Sequence, residues 1–239
     1  MSEIVWVNPV QGDAFDGDTL AVIDAVRAPH HVPRICHLEA GPPHLEYHLY
    51  EHAAFGPMLE LFRTAERDGC AAAVIGCFYD GGLREAREAL TIPVVGMGEA
   101  SMLLAATLGH RFSIIVGRRK WIPKMTDNAV LLGLDRRLAS FRSVELGMPD
   151  FLADPAAFFD RTIEEGRRAV EQDGAEVVVL SELTSPEFCA RAREELPVPV
   201  VDPGMACWKW AEMAAELYER AGLTHVSTFG YEAPPELVG

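Results

Sequence analysis

The chain has 239 residues, of which 49% are hydrophobic and 24% charged, and it carries a formal net charge of −15. That length suits one large or two small domains with a sizeable buried core. The deficit of cations argues against a nucleic-acid partner, since neutralising phosphates needs Lys and Arg, whereas a small anionic substrate needs only one or two local donors.

The chain opens on Met1-Ser2-Glu3, with no basic stretch leading into an apolar run. No signal peptide is therefore expected. No apolar run reaches the ~18 residues that span a bilayer, so no membrane partner is expected, and five scattered cysteines without a disulfide framework fit reduced thiols in a cytoplasmic protein. The first strand is predicted over residues 4–7, and a helix over 18–26 follows an Asp/Gly turn. A weaker strand spans 32–38, and a helix over 55–67 ends at Asp68-Gly69. A strand over 72–75 leads through a glycine-rich turn into a helix running to Ala89, followed by strands over 94–95 and 112–116. A helix over 155–172 has Asp154 as N-cap, Pro155 at its first position and Gly174 as its stop. A strand over 176–180, a helix begun by Pro186, a strand over 199–201 and a helix over 205–220 complete the series. Short continuous apolar strands alternating with helices indicate an α/β fold with parallel sheets covered on both faces.

A weak internal duplication organises this series. Ala71-Ala72-Ala73-Val74-Ile75-Gly76-Cys77 resembles Ala175-Glu176-Val177-Val178-Val179-Leu180-Ser181-Glu182 in character, placing Cys77 opposite Glu182 at an offset of 105 (77 to 182). Ile92-Pro93-Val94-Val95 resembles Val198-Pro199-Val200-Val201 at 106 (93 to 199). Val5-Trp6-Val7-Asn8 pairs with Ile114-Ile115-Val116-Gly117 at 109 (8 to 117). One such match would mean little in an α/β protein; three in the same order point to two similar halves, 1–98 plus 212–239 and 99–211. Ligands of open parallel sheets bind beyond the carboxyl ends of the strands, where Asn8, Cys77, Gly117 and Glu182 all fall. If the halves face each other, Cys77 and Glu182 approach one interdomain cleft from opposite sides.

The five cysteines, Cys36, Cys70, Cys77, Cys189 and Cys207, are scattered, without CxxC or Cys/His zinc spacing. Four are read as small buried hydrophobes. Cys77 differs, because it ends a strand and precedes a glycine-rich helix start whose backbone N–H groups and dipole would favour a thiolate. Around it, Phe78, Tyr79 and Asp80 are candidate substrate contacts, as are Leu183 and Thr184 beside Glu182, and Arg118 is a candidate carboxylate anchor.

The run Cys77-Phe78-Tyr79-Asp80-Gly81-Gly82-Leu83, the segments 92–101 and 108–113, the opening strand with its Asn8-Pro9 turn, the Gly41-Pro42-Pro43 loop and the closing segment 198–202 together resemble the aspartate/glutamate/hydantoin racemase superfamily, most closely its hydantoin racemases. The resemblance covers nearly the whole chain. It implies two Rossmann-like, pseudo-symmetric halves, an interdomain site, a small-molecule substrate, no metal or organic cofactor, and a homo-oligomer. It also implies a pair of cysteines that shuttle a proton across a carbon next to a carbonyl. The sequence departs from that pattern at the second cysteine, whose motif falls on Ser181-Glu182-Leu183-Thr184-Ser185, so Glu182 takes its place. Cys189, seven residues later, is a poor substitute. The opening reads Asn8-Pro9-Val10-Gln11 instead of Asn-Pro-Asn-Thr, and a family threonine is replaced at Gly117-Arg118.

Two chemistries follow. In one, Cys77 and Glu182 form an unmatched acid/base pair in a racemase acting on a cyclic ureide or amino-acid derivative, given a carboxylate whose surroundings raise its pKa. Alternatively, Cys77 attacks a carbonyl or thiocarbonyl carbon while Glu182 activates water, hydrolysing a cyclic amide, ureide or thio-ureide. A single-cysteine decarboxylase and a non-catalytic binding domain are further alternatives. His44, His48 and His52 recur every fourth residue but are read as a polar face. His110 is read as fixing a strand entrance, Trp208 and Trp210 as core or interface, and Arg119 and Lys120 as solvated.

Overall fold

The continuous apolar runs do form parallel strands, gathered into two sheets of four. The computed structural model describes residues 1–237. In the first sheet, β1 (Ser2–Gln11), β2 (His31–Leu38), β3 (Ala72–Ile75) and β4 (Val94–Gly96) lie in the order β2-β1-β3-β4. In the second, β5 (Phe112–Val116), β6 (Leu138–Ser143), β7 (Val177–Leu180) and β8 (Val200–Val201) lie in the order β6-β5-β7-β8. Adding four to each strand number turns one order into the other, so the duplication read from three segment pairs extends to the topology. The α/β class with paired parallel sheets is as expected.

The helices are α1 (Asp16–Asp24), α2 (His48–Arg67), α3 (Leu83–Ala89), α4 (Met97–Leu108), α5 (Ile122–Leu131), α6 (Met148–Ala153), α7 (Pro155–Asp173), α8 (Pro186–Glu195) and α9 (Pro203–Ala221). None among the described residues is long and apolar enough to cross a membrane. The chain divides into two compact units, Met1–Met97 with the chain from Cys207 onward, and Gly98–Ala206. Both crossings fall inside helices, α4 and α9, whereas the sequence reading set them at 98/99 and 211/212.

Strand register refines one pairing. Val7 lies opposite Ile75, and Ile115 opposite Leu180. Val7 therefore corresponds to Ile115, 108 residues on, and Asn8 to Val116. Since a one-residue shift moves a side chain to the other face of a sheet, Asn8 and Gly117 are not counterparts. Other differences have local causes. Strand β6, Leu-Ala-Ser-Phe-Arg-Ser, is not predicted because it is half-exposed along its length and offers no continuous apolar run. Helix α2 begins at His48, seven residues before the expected start, and carries Pro57 in its interior. Proline is usual in a first turn, so Pro57 in the third turn of α2 is atypical.

Helix α7 follows its sequence signals closely. Asp154 accepts a hydrogen bond from Ala157 N at 3.0 Å, Pro155 is the first helical residue, and Gly174 ends the helix at φ 71°. Asp154→Ala removes this cap and should cost about 1 kcal/mol, read as a lower urea midpoint with unchanged secondary structure by circular dichroism.

Candidate active site

In the first unit, the residues singled out by sequence gather at the carboxyl ends of β1 and β3. Gly76 N donates to Val7 O at 2.9 Å, carrying the β1–β3 pairing one residue past β3, and Cys77 follows at once. Gly76 has no room for a side chain: an added Cβ would lie 2.3 Å from Trp6 Nε1, 2.7 Å from Val7 O and 2.8 Å from Asn8 Oδ1. The space is taken by a buried polar relay. Trp6 Nε1 donates to Asn8 Oδ1 at 2.9 Å, Asn8 Nδ2 donates to Asp16 Oδ1 at 2.8 Å, and Asp16 Oδ2 meets His37 Nδ1 at 2.7 Å. Thr19 Oγ1 lies within 3.4 Å of both ends of the Asn8 amide. Asn8, expected to touch substrate, thus has its oxygen and its nitrogen engaged inside the unit.

Cys77 is half-buried and packs, with Tyr79 and Leu83, against the apolar core of the first unit. It does not open a helix. Asp80 at φ 52° and Gly82 at φ 80° form a left-handed turn, so α3 starts only at Leu83. Cys77 thus lies six residues before the first residue of α3, not at its N-terminus as expected. Phe78, another expected substrate contact, is buried in the core, while Tyr79 and Asp80 are half-buried. Two carboxylates lie against glycines around this turn. An added Cβ on Gly96 would stand 2.6 Å from Asp80 Oδ1, and one on Gly81 would stand 2.1 Å from Glu51 Oε1. The sequence reading missed Glu51, which comes from α2.

The second unit repeats the backbone arrangement with different side chains. Ser181 N donates to Ile115 O at 3.1 Å, as Gly76 does to Val7, and Glu182 follows. Glu182 is half-buried, its Oε1 standing 3.4 Å from the position of a Cβ on Gly117, so these two candidate site residues lie side by side. Arg118 is half-buried in extended backbone leading into a 3-10 turn, Arg119–Trp121. Arg119 pairs with Glu145 at 2.8 Å, and the Lys120 ammonium lies 4.5 Å over the Trp121 ring. Arg119 stays exposed, as expected of a solvated neighbour, whereas Lys120 is half-buried.

Leu183 is half-buried, but Thr184 is buried and donates to Asp202 Oδ2 at 2.8 Å. Cys189 Sγ approaches the same oxygen at 3.2 Å, and Asp202 Oδ1 accepts from Met205 N at 2.8 Å in the first turn of α9. Burial pushes the Asp202 carboxyl above the usual carboxylate range. Burial, with the Asp202 charge second, pushes the Cys189 thiol up to about 12. Cys189 is therefore a sealed thiol on α8, consistent with its rejection as the second cysteine. Asp202 was missed as a functional group, although Asp202-Pro203-Gly204 is a recognisable helix start. Among the other thiols, burial also raises Cys36 and takes Cys70 to about 12, and Cys207 is buried.

A family profile described as Asp/Glu/Hydantoin racemase matches residues 8–210. The chain belongs to this family. It is 34% identical over 199 residues to a hydantoin racemase of Pseudomonas sp. (strain NS671), covering 83% of this chain and 79% of that one. It is 30% identical over 237 residues to the hydantoin racemase of Paenarthrobacter aurescens, covering 98% of each. The solved structure of an allantoin racemase from Klebsiella pneumoniae superposes with a TM-score of 0.91 at 26% identity, covering 98% of this chain and 94% of that one. Membership makes the chain an isomerase of the racemase class.

Two stability predictions follow for this racemase. Gly76→Ala must displace the Trp6 indole or the β1 backbone, a strain that costs about 1–3 kcal/mol. Its urea midpoint should fall, whereas Gly17→Ala, with nothing within 4 Å of its new Cβ, should leave the midpoint unchanged or higher. Asp202 has the opposite linkage from a salt-bridged carboxylate. Its folded pKa lies above its unfolded one, so the folded state holds more protons, and stability falls as pH rises from the ordinary Asp range through the raised value. Asp202→Asn should remove that contribution, and the wild-type minus variant difference in urea midpoint should drop with rising pH across this window. A flat difference would contradict it.

Proposed function

We propose that this chain racemises a small cyclic ureide, a hydantoin or an allantoin-like ring, with Cys77 and Glu182 as its two proton-transfer groups. The ring class is supported by its relatives, which are hydantoin and allantoin racemases. The pair is supported by one observation above the rest: Cys77 and Glu182 each come one residue after the last backbone hydrogen bond of equivalent strands in two copies of the same sheet order.

The hydrogen on the stereogenic carbon of such a ring is acidified by the adjacent carbonyl. One group removes it as a base, the electron pair passes to the carbonyl oxygen as an enolate, and the other group protonates the carbon from the opposite face. An ordinary carboxyl and thiol differ by roughly four pKa units in water, so the two halves of the pair are not interchangeable. For a substrate with a single stereocentre the enantiomers are equal in energy, which forces equal kcat/KM in the two directions. The asymmetry therefore appears as different kcat and different KM for the two enantiomers.

The test uses single enantiomers of 5-substituted hydantoins in D2O. Loss of optical rotation should accompany deuterium entry at the stereogenic carbon, and Cys77→Ser and Glu182→Gln should each slow exchange by about 10²–10⁴-fold. Glu182→Cys should retain racemisation. A ring-opened product with a covalent adduct on Cys77 would instead establish a hydrolase, and absence of exchange across a hydantoin and allantoin panel would reject the proposed substrate class.

A further inference from the structure

In the first unit, the turn preceding β2 is tied to α9 by two carboxylates. Glu212 and Glu216 stand one helical turn apart, on one face of the helix. Glu212 is buried, accepts from Ala28 N at 2.7 Å and Trp208 Nε1 at 2.9 Å, and pairs with Lys209. It fixes the turn against the helix. Glu216, one turn further on, faces two imidazoles through a single oxygen: Oε1 lies 3.2 Å from His30 Nε2 and 3.4 Å from His31 Nε2. The three atoms all lie within 4.8 Å of one another.

Two features of this group bear on what it can hold. Both nitrogen–oxygen separations exceed the ~2.7–2.9 Å of a charge-assisted hydrogen bond. They fit the edge of a tetrahedron whose centre-to-ligand bonds are ~2.1 Å, about 3.4 Å, the dimensions of a zinc site. In addition, the His31 side chain is 0% exposed and its Nδ1 has no hydrogen-bond partner among the described residues, so Nε2 is the ring's one polar anchor.

We propose that His30, His31 and Glu216 form a site for a divalent transition metal of the zinc type, with water completing the tetrahedron. Two imidazoles and one carboxylate suit Zn²⁺, Co²⁺ or Ni²⁺, whereas Ca²⁺ and Mg²⁺ prefer all-oxygen shells. The unpartnered Nδ1 denies the site the outer hydrogen bond that orients metal-bound histidines, a loss worth about 10–100-fold in affinity. The site is therefore of moderate strength. Its effect is to clip the turn before β2 to α9, stabilising the folded state by mass action. The inference is independent of the racemase chemistry.

The experiment titrates the chelator-treated full chain with Co²⁺. The expected result is one equivalent bound, with the visible bands of tetrahedral Co²⁺, no sulfur-to-metal charge-transfer band, and a raised melting temperature. His30 and Glu216 side chains are 53% and 39% exposed, so variants there should keep the fold. His30→Asn and Glu216→Gln should each weaken binding at least tenfold and abolish the rise in melting temperature. A charge-transfer band from a thiolate, binding undiminished in both variants, or no binding with Co²⁺ in large excess over protein would each overturn the assignment.

Discussion

Two backbone hydrogen bonds, Gly76 N to Val7 O and Ser181 N to Ile115 O, fix which residue leaves each sheet at its carboxyl edge. Everything proposed about chemistry depends on them. In a parallel sheet the side-chain period is two, so a slip of one residue would turn Cys77 or Glu182 to the opposite face. The register is held by burial rather than by the hydrogen bonds themselves. Val5, Val7, Ala73 and Ile75 in one unit, and Ile114, Ile115, Val178 and Val179 in the other, are all within 3% of complete burial. A slip would cost their packing against the helices on both faces, at about 25 cal/mol per Å² of apolar surface returned to water.

The two copies of this scaffold are furnished differently. In the first, the space beside the strand end is filled by the Trp6–Asn8–Asp16–His37 relay, which only a glycine at position 76 can accommodate. In the second, the glycine is Gly117, and the Glu182 carboxylate lies against it. Behind Glu182, the buried Asp202 holds both Thr184 and the first turn of α9. A shared topology has thus been kept while hydrogen bonding around each strand end has diverged, as expected when backbone packing and site chemistry are under separate constraints.

What the sequence made legible follows from the same physics. Strands covered on both faces read as continuous apolar runs, so Ala72–Ile75 and Phe112–Val116 were found to the residue. Strands of mixed polarity read less clearly. The strand over 32–38 reads weakly, and Leu138–Ser143 is not predicted because it carries polar residues such as Arg142, which bonds Asp173. Glycine and proline punctuation marks both ends of α7, whereas α2 stays helical through Pro57 with Ala54, Met58, Phe62 and Ala65 buried. Of the expected contacts, Gly117 and Glu182 are adjacent, while Asn8 and Thr184 are engaged internally. Sequence-local reasoning could not foresee that, since Thr184 meets Asp202 only through folding. The His30–His31–Glu216 group is hidden for the same reason: 185 residues separate His31 from its carboxylate partner. The histidines that did draw attention were the sequence-local ones. Of these, His44 precedes α2, while His48 begins it and lies 3.6 Å from Glu51.

The order of synthesis does not match the order of assembly. The first unit begins at Met1 but closes only with α9, whose Glu212 bonds Ala28 and whose Glu219 bonds Ser2 across 217 residues. The second unit, Gly98–Ala206, is complete once the first turn of that helix has been made. A chain emerging from the ribosome therefore holds its opening strands without their final cover while a whole α/β unit folds in between. Contacts of such high sequence separation slow folding and leave apolar strands exposed meanwhile. Closure of the first unit therefore waits on α9, the last long helix to be made.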